Sequence, residues 1–287
     1  MFDTHLHLLE VERWRYGWLA GVPALQRSWR PADYRDEAGP AGIAGALFME
    51  AFVDEPHERA EAEWAHGLCA HEASGVRGFV AGVRAERAGA VAELLARRPA
   101  GLRGVRRVLH VEADDFSMAP AFRANLRALE HSGLPFELCM KASQLPRALA
   151  LAAEFPSVAF VLDHGGNPSF DAASFTPWAQ VLRSLAQRPN IWCKLSGLVS
   201  GLPTAEVSVA RLAPYLDTIV ATFGADRVVW GSDWPVCNLT SSLTQWVGIT
   251  REFFASASSA ERAAIFHRNA ARLYRLDLSH ATDSSSR

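Results

Sequence analysis

The residues best suited to chemistry are three histidines and one aspartate that lie far apart in the chain. His5 and His7 occur in MFDTHLHLLE, His164 in LDHGG and Asp233 in GSDWP. Side chains at i and i+2 of a strand share a face, so a strand over residues 2–7 would project both early histidines together. Imidazoles with one carboxylate suit a divalent transition metal, most naturally zinc. Without a metal, Asp233 could take a proton from water while the histidines polarise a carbonyl.

The elements that must position these side chains are eight short β-rich stretches separated by Ala-, Leu-, Glu- and Arg-rich stretches of helical composition. The β-rich stretches are FDTHLHL, GALFMEA, VRGFVAGV, GLRGVRRVLH, PFELCM, VAFVLDHGG, NIWCKLSG and RVVWGSDWP. Alternating strands and helices imply parallel strands joined by crossovers. Eight such units in 287 residues predict a single (β/α)8 TIM barrel of the α/β class. A doubly wound sheet is the alternative, but the first strand lacks its glycine-rich turn.

No linker rich in Pro, Gly and Ser interrupts the chain, so we predict one domain. We assign residues 1–276 to the barrel and residues 277–287 to a disordered tail. The segment 10–40 is long for a loop that follows the first strand. It carries Trp14, Tyr16, Trp18 and Trp29. Long aromatic loops on this face of a barrel shape substrate pockets, and plain core packing is the alternative.

Catalytic groups of a barrel sit at the C-terminal ends of its strands. Strand eight neighbours strand one in a closed barrel, so Asp233 can face His5 and His7 and is our candidate general base. The remaining candidates are substrate-binding side chains, for which a structural polar role is the alternative. They are Trp18, His110, Lys141, Gln144 and Lys194.

Three other polar groups are predicted to have structural roles. Neighbours on a strand point in opposite directions, so only one of Arg106 and Arg107 can face the barrel interior, and we expect it to pair with an acid. Asp3 lies at the buried start of the first strand, where we expect it to hold structure. The cysteines are widely spaced without a CxxC pattern, and we interpret Cys139, Cys193 and Cys237 as packing residues.

The overall charge excludes some partners. The net charge is −2, from 29 basic and 31 acidic residues. The sequence therefore has no excess of positive charge with which to bind nucleic acid or an anionic membrane. No apolar run reaches membrane-spanning length, and no segment has the pattern of a signal peptide. We therefore expect a cytoplasmic protein that acts on a small molecule. The sequence leaves its oligomeric state open.

The motifs resemble the amidohydrolase superfamily, and most closely its lactonase-like branch of L-fuconolactonase and L-rhamnonolactonase types. His-x-His, LDHGG and GSDWP carry the resemblance, together with GVRRVLH, KLSGL and NAARLYRL, and it spans Phe2 to about Leu276. It implies a TIM barrel that opens a small sugar-acid lactone with activated water. It also implies that Asp233 and His164 are catalytic, and that His5, His7, His164 and Asp233 can hold a metal.

One departure from the superfamily pattern bears on the metal. Two-metal members carry a lysine on strand four and a histidine on strand five, whereas these strands end in RRVLH and CMK here. We therefore predict at most one divalent metal, with zinc the natural choice, and the metal need not be essential. The alternatives are a zinc-dependent decarboxylase, a pyrone-dicarboxylate lactonase and a barrel that only binds a metabolite.

Overall fold

The computed structural model describes residues 1–278, and these form one eight-stranded parallel sheet curled into a nearly closed barrel. Strands β1 to β8 follow one another around the barrel in chain order. Their bounds are Asp3–Leu6, Ala46–Met49, Val76–Gly82, Leu102–Val108, Phe136–Cys139, Phe160–Leu162, Ile191–Leu195 and Val228–Trp230. Each strand lies within one of the eight stretches singled out in the sequence. The predicted (β/α)8 barrel is confirmed.

Ten α-helices occur in the described residues, and most of them connect consecutive strands. Helices α1 to α10 span Pro31–Ala38, Glu58–Ala70, Ala90–Arg97, Pro120–Leu129, Leu145–Glu154, Ala172–Ala186, Val209–Phe223, Leu243–Phe253, Ser259–Ala263 and Asn269–Tyr274. Side-chain hydrogen bonds define where three of these helices begin. The side chains of Asp171, Ser208 and Ser242 accept backbone N–H bonds at the first turns of α6, α7 and α8. No helix in residues 1–278 is long and apolar enough to cross a membrane.

The barrel closes where β8 meets β1. The hydroxyl of Thr4 donates to the Trp230 carbonyl at 2.7 Å, and the N–H of His7 donates to the Trp234 carbonyl at 2.8 Å. Leu6 and Trp234 form a parallel bridge at the same seam. The residues just beyond the two strands are therefore held side by side, as the barrel prediction requires.

Two apolar cores hold this architecture. The larger one lies between the sheet and the outer helices. The smaller one fills the barrel interior toward the N-terminal ends of the strands, where Val80, Val161 and Val229 pack with Leu273 and Tyr274 of α10. Helix α10 thus plugs the end of the barrel opposite the strand C-termini. Of the predicted tail, Leu278 is buried in this core, and residues 279–287 lie outside the described residues.

The long segment after β1 folds into short 3-10 turns and α1, and most of its aromatic side chains pack as core. The ring of Trp29 lies 5.2 Å from that of Trp234, and the ring of Trp14 lies 5.5 Å from that of Trp64. Trp18 is different, because it faces the mouth of the barrel, where its Nε1 donates to the Ala51 carbonyl at 2.9 Å. Core packing is therefore the role of Trp14 and Trp29, and the role of Trp18 in a substrate pocket stays a prediction.

Candidate active site

A cavity of about 200 Å³ opens at the C-terminal ends of the strands. Its polar side chains are His7, Arg106, His110, Cys139, His164 and Asp233. Its apolar wall is formed by Trp18, Ala51, Phe52, Val108, Val111 and Val236. The cavity therefore combines a floor of imidazole, thiol and carboxylate groups with one apolar side.

His5 and His7 are positioned by the first strand and its end. The Nδ1 atom of His7 lies 3.0 Å from the Met49 carbonyl oxygen, which can only accept. The proton of a neutral His7 ring is therefore on Nδ1, and Nε2 carries a lone pair. The Nε2 atoms of His5 and His7 lie 3.1 Å apart, so both rings present this nitrogen to the same point.

His164 and Asp233 both adopt the left-handed backbone region, with φ values of 56° and 59°. This conformation is unfavourable for residues with a Cβ and is tolerated where the surrounding structure enforces it. The loop of His164 is held by Trp178, whose Nε1 donates to the Gly165 carbonyl at 2.8 Å. The Nδ1 atom of His164 lies 2.8 Å from the Ser196 hydroxyl, which fixes the ring.

The carboxylate of Asp233 lies among the histidines. Its Oδ1 is 3.6 Å from Nε2 of His5 and 3.4 Å from Nε2 of His7. Burial raises the pKa of Asp233, but His164, His7 and His5 together lower it below the usual range of a carboxyl. Burial lowers the pKa of His164, yet the charge of Asp233 raises it above its usual value. Without a metal, the opposite charges of the two groups therefore favour each other.

The donor set fits one divalent metal. Donor atoms of His5, His164 and Asp233 all lie within 4.8 Å of one another, and Nε2 of His7 adjoins them. Nitrogen and carboxylate oxygen donors are those that zinc takes in catalytic sites. A second group of the described residues combines Cys139, Asp163 and His164, but Arg106 already binds the carboxylate of Asp163.

Arg106 and Arg107 point to opposite sides of β4, as the alternation predicted. Arg106 faces inward, where Nε lies 3.0 Å from Asp163 Oδ2 and Nη1 lies 3.1 Å from Glu50 Oε1. Arg107 faces outward and pairs with Glu86. Although Arg106 lines the cavity, its Nε and Nη1 atoms already contact the carboxylates of Asp163 and Glu50. Its role is to neutralise the buried carboxylates rather than to offer a free charge.

Lys194 lies below the cavity and is fully buried. Its Nζ is 2.8 Å from Glu137 Oε2 and 3.2 Å from Asp163 Oδ1. Burial raises the pKa of Glu137 to about 8, while Lys194 opposes that shift. A direct contact between Lys194 and substrate is not supported by this position, because the imidazole layer separates the ammonium from the cavity.

The other predicted substrate contacts divide into two groups. His110 lines the cavity with its Nδ1 3.1 Å from Cys139 Sγ, and Trp18 lines it as well. Lys141 is half-exposed and pairs with Asp114 at 3.1 Å, outside the cavity lining. Gln144 is buried and donates to the Leu109 carbonyl at 2.8 Å, which stabilises the loop after β4. Lys141 and Gln144 therefore lie outside the cavity lining, and their contact with substrate stays a prediction.

Two residues line the cavity although the sequence analysis does not assign them to the site. Cys139 was interpreted as packing, yet its thiol lines the cavity beside His110. Strand alternation from Glu137 would have placed it on the inner face. Phe52 lines the cavity with a φ of 52°, and no sequence pattern signals that conformation. Asp3 has the predicted structural role, since it accepts the backbone N–H groups of His5 and Ser232.

The chain is similar to known proteins over nearly its whole length. A family model described as amidohydrolase matches residues 2–276. The L-fucono-1,5-lactonase of Burkholderia multivorans is 32% identical over 290 residues, which cover 96% of this chain and 95% of the relative. The L-fucono-1,5-lactonase of Burkholderia ambifaria is 28% identical over 285 residues, with 96% of this chain and 95% of the relative covered.

A solved structure is similar over the same length. The crystal structure of an amidohydrolase from Burkholderia multivorans with bound zinc superposes with a TM-score of 0.87 at 30% identity. The match covers 96% of this chain and 99% of that one. The family match over nearly the whole chain, together with relatives of the same length, shows that this chain belongs to the amidohydrolase family.

Proposed function

We propose that this protein is a hydrolase that opens the ring ester of a small sugar-acid lactone. The observation that carries the proposal is the convergence of His5, His7 and His164 on the Asp233 carboxylate at the floor of the cavity. The similarity to two L-fucono-1,5-lactonases supports the substrate class. We further propose that the site holds one divalent metal, zinc, and the bound zinc of the solved relative supports this choice.

In the proposed reaction Asp233 takes a proton from water, and the water oxygen attacks the lactone carbonyl carbon. The bond between that carbon and the ring oxygen then breaks, and the proton passes from Asp233 to the leaving oxygen. When no metal is bound, His164 is held by Ser196 and its pKa is raised by Asp233, so its protonated ring can add positive charge next to the developing oxyanion. When bound, a divalent metal supplies Lewis-acid polarisation of the carbonyl and lowers the pKa of water.

The lining of the cavity favours a neutral lactone over a dicarboxylate. Arg106 is the one guanidinium in the lining formed by the described residues, and Asp163 and Glu50 already bind it. A pyrone dicarboxylate would bring two further negative charges without free cations to receive them. The apolar wall, which includes Trp18, Phe52 and the exposed Val111, offers contact to an uncharged ring face.

The test is acid release from a panel of lactones, read with a pH indicator. The panel contains L-fucono-1,5-lactone, an L-rhamnono-lactone and 2-pyrone-4,6-dicarboxylate, each assayed with added zinc and after chelation. Because sugar lactones also open spontaneously, the Asp233→Asn variant at equal concentration serves as the blank. Faster release from a sugar lactone than from the pyrone supports the proposal.

The proposal is wrong if no lactone is opened faster by the wild-type protein than by the variant. Loss of carbon dioxide from a dihydroxybenzoate would instead establish the decarboxylase alternative. Binding of a lactone without turnover, measured by calorimetry, would establish a metabolite-binding barrel.

A further inference from the structure

A buried carboxyl group on helix α2 holds the loop 50–54, which follows β2. Glu61 is 1% exposed, and its Oε1 accepts the backbone N–H of Ala51 at 3.1 Å. Ala51 lies two residues after the end of β2 and lines the cavity. Glu61 is not among the described residues that line the cavity. The proposed reaction therefore leaves the presence of this buried acid unexplained.

The other backbone polar atom of Ala51 holds an aromatic side chain of the cavity. Its carbonyl oxygen accepts the Nε1–H of Trp18 at 2.9 Å. A second contact joins the same two segments, because the backbone N–H of Gly17 donates to Asp54 Oδ1 at 2.7 Å. Ala51 is thus bonded to helix α2 through its N–H and to the aromatic segment through its carbonyl. The link between Glu61 and Trp18 runs through this one residue.

The next residue of the loop, Phe52, belongs to the same apolar wall of the cavity. Its φ of 52° is unfavourable for a residue with a Cβ and persists only where the surroundings enforce it. The N–H of Phe52 donates to Glu50 Oε2 at 2.8 Å, and the guanidinium of Arg84 lies 4.8 Å from the centre of its ring. Glu61 and Glu50 therefore accept two consecutive backbone N–H groups, and together they hold the loop in its strained conformation.

The contact between Glu61 and Ala51 depends on the reach of the side chain and not on its charge. Burial raises the pKa of Glu61 well above its usual value, and the charge of Glu50 raises it further. The neutral acid keeps an oxygen that accepts a hydrogen bond, as the amide of Gln does. Without an acceptor at this position, the buried N–H of Ala51 has lost its partner, which costs free energy. The loop then lowers its free energy by shifting, and the shift moves the wall of the cavity.

We propose that Glu61 is a positioning residue that sets the wall formed by Trp18, Ala51 and Phe52 against the imidazole floor of the cavity. Glu61 fixes Ala51, and Ala51 in turn fixes the indole of Trp18. The reacting groups lie on the floor and not in this wall, so we expect the wall to bind substrate and transition state equally well. The inference rests on the proposed function for its effect on turnover, whereas its effect on Trp18 needs no lactone.

The direct test compares two substitutions of Glu61 by fluorine NMR of protein labelled with 5-fluorotryptophan. Glu61→Gln removes the charge and keeps an oxygen at the same reach, whereas Glu61→Asp keeps a carboxyl group and withdraws it by roughly 1.5 Å. The Trp18 signal is assigned from its absence in Trp18→Phe. We expect this signal to move in Glu61→Asp and to stay at its wild-type position in Glu61→Gln. The matched control is Glu63→Asp, the same change at a side chain of α2 that is 57% exposed.

The second readout is the steady-state hydrolysis of L-fucono-1,5-lactone. We expect KM to rise by about 3–10-fold in Glu61→Asp, which is the effect of one lost hydrogen bond. The value of kcat should change by less than about twofold, because only uniform binding is lost. Glu61→Gln and Glu63→Asp should keep both constants near those of the wild-type protein. Glu61→Asp should raise KM less in a Trp18→Phe background than alone, because both changes act through Ala51.

The outcomes separate the positioning role from the proposed lactonase function. A Trp18 signal that stays in place in Glu61→Asp, or that Glu61→Gln moves at least as far, would overturn the positioning role. A protein that gives the expected NMR result but opens no lactone would overturn only the proposed function.

A measurement on the wild-type protein decides the question if Glu61→Asp does not fold. Hydrogen exchange of the Ala51 amide, followed by ¹⁵N NMR, should be slow because a buried carboxyl group accepts its proton. Exchange should remain slow in Glu61→Gln. Rapid exchange of this amide in the wild-type protein would overturn the proposal.

Discussion

The backbone N–H of Asp233 donates to the carbonyl oxygen of His5 at 2.8 Å, across the seam between β8 and β1. The residue that supplies the carboxylate and the residue that supplies an imidazole are thus joined by a hydrogen bond of the barrel itself. Because the same bond closes the sheet, the distance between the two side chains is set by the fold and not by a flexible loop.

Asp233→Asn should nearly abolish turnover while the protein stays folded. Asn is close to isosteric with Asp, but it cannot take a proton from water at neutral pH. Positioned general-base catalysis contributes about 10²–10⁴ in rate, and we expect kcat to fall by that factor together with kcat/KM. The measurement is steady-state lactone hydrolysis, with Asp217→Asn on the exposed side of α7 as the control. A folded variant with near-normal kcat would direct attention to His110 as the base.

Gly197→Ala should damage the site through a steric contact. Gly197 has a φ of +61°, and a Cβ there would lie 2.4 Å from His164 Nδ1 and 3.0 Å from Asp233 Oδ2. Gly89 has a φ of +78° with open space around its Cβ position, so Gly89→Ala carries the backbone strain without the clash. We expect kcat to drop by at least about tenfold in Gly197→Ala only, which is roughly 1.4 kcal/mol of transition-state stabilisation. Equal activities of the two variants would contradict this interpretation.

Arg106→Met should be strongly destabilising. The guanidinium neutralises Asp163 and Glu50 in the barrel interior, and removing one partner of a buried ion pair costs about 3–5 kcal/mol. Arg59→Met removes an exposed pair with Glu63 on α2, which should cost less than about 1 kcal/mol. Urea unfolding followed by circular dichroism compares the two. Similar losses for both variants would show that the interior carboxylates do not depend on Arg106.

The chelated protein should lose stability as the pH rises above about 6.5. Asp233 raises the pKa of His164 above its usual value of 6.5, so the attraction between the two charges stabilises the fold at lower pH and is lost as His164 deprotonates. Asp233→Asn removes this attraction, and the melting temperature of the variant should respond less to pH over this range. Differential scanning fluorimetry of both proteins in the presence of a chelator tests this. A constant difference between the two melting temperatures from pH 6.5 upward would rule out the coupling.

Strand alternation and barrel geometry were sufficient to predict the fold and the meeting of His5 with Asp233. They were not sufficient to predict how deep each inward-facing side chain lies along the barrel axis. Ser196 directly follows β7 and lies two residues after Lys194, and two residues along a strand amount to roughly 6.6 Å. Ser196 therefore reaches His164, whereas Lys194 lies one layer below and meets Glu137. An inward-facing residue reaches the cavity only if its strand ends at that level, and this depends on where the neighbouring strands end. The residue pattern of a single strand does not specify that level.

The seam between β8 and β1 also has a consequence for synthesis of the protein. All three histidines are translated by the time residue 164 is added, whereas the carboxylate arrives only at residue 233. A ribosome stalled between those two codons would carry a nascent chain with the three imidazoles and without the carboxylate that we propose as the base. On that proposal the site is completed late in translation, after the last strand has been synthesised and can pair with the first.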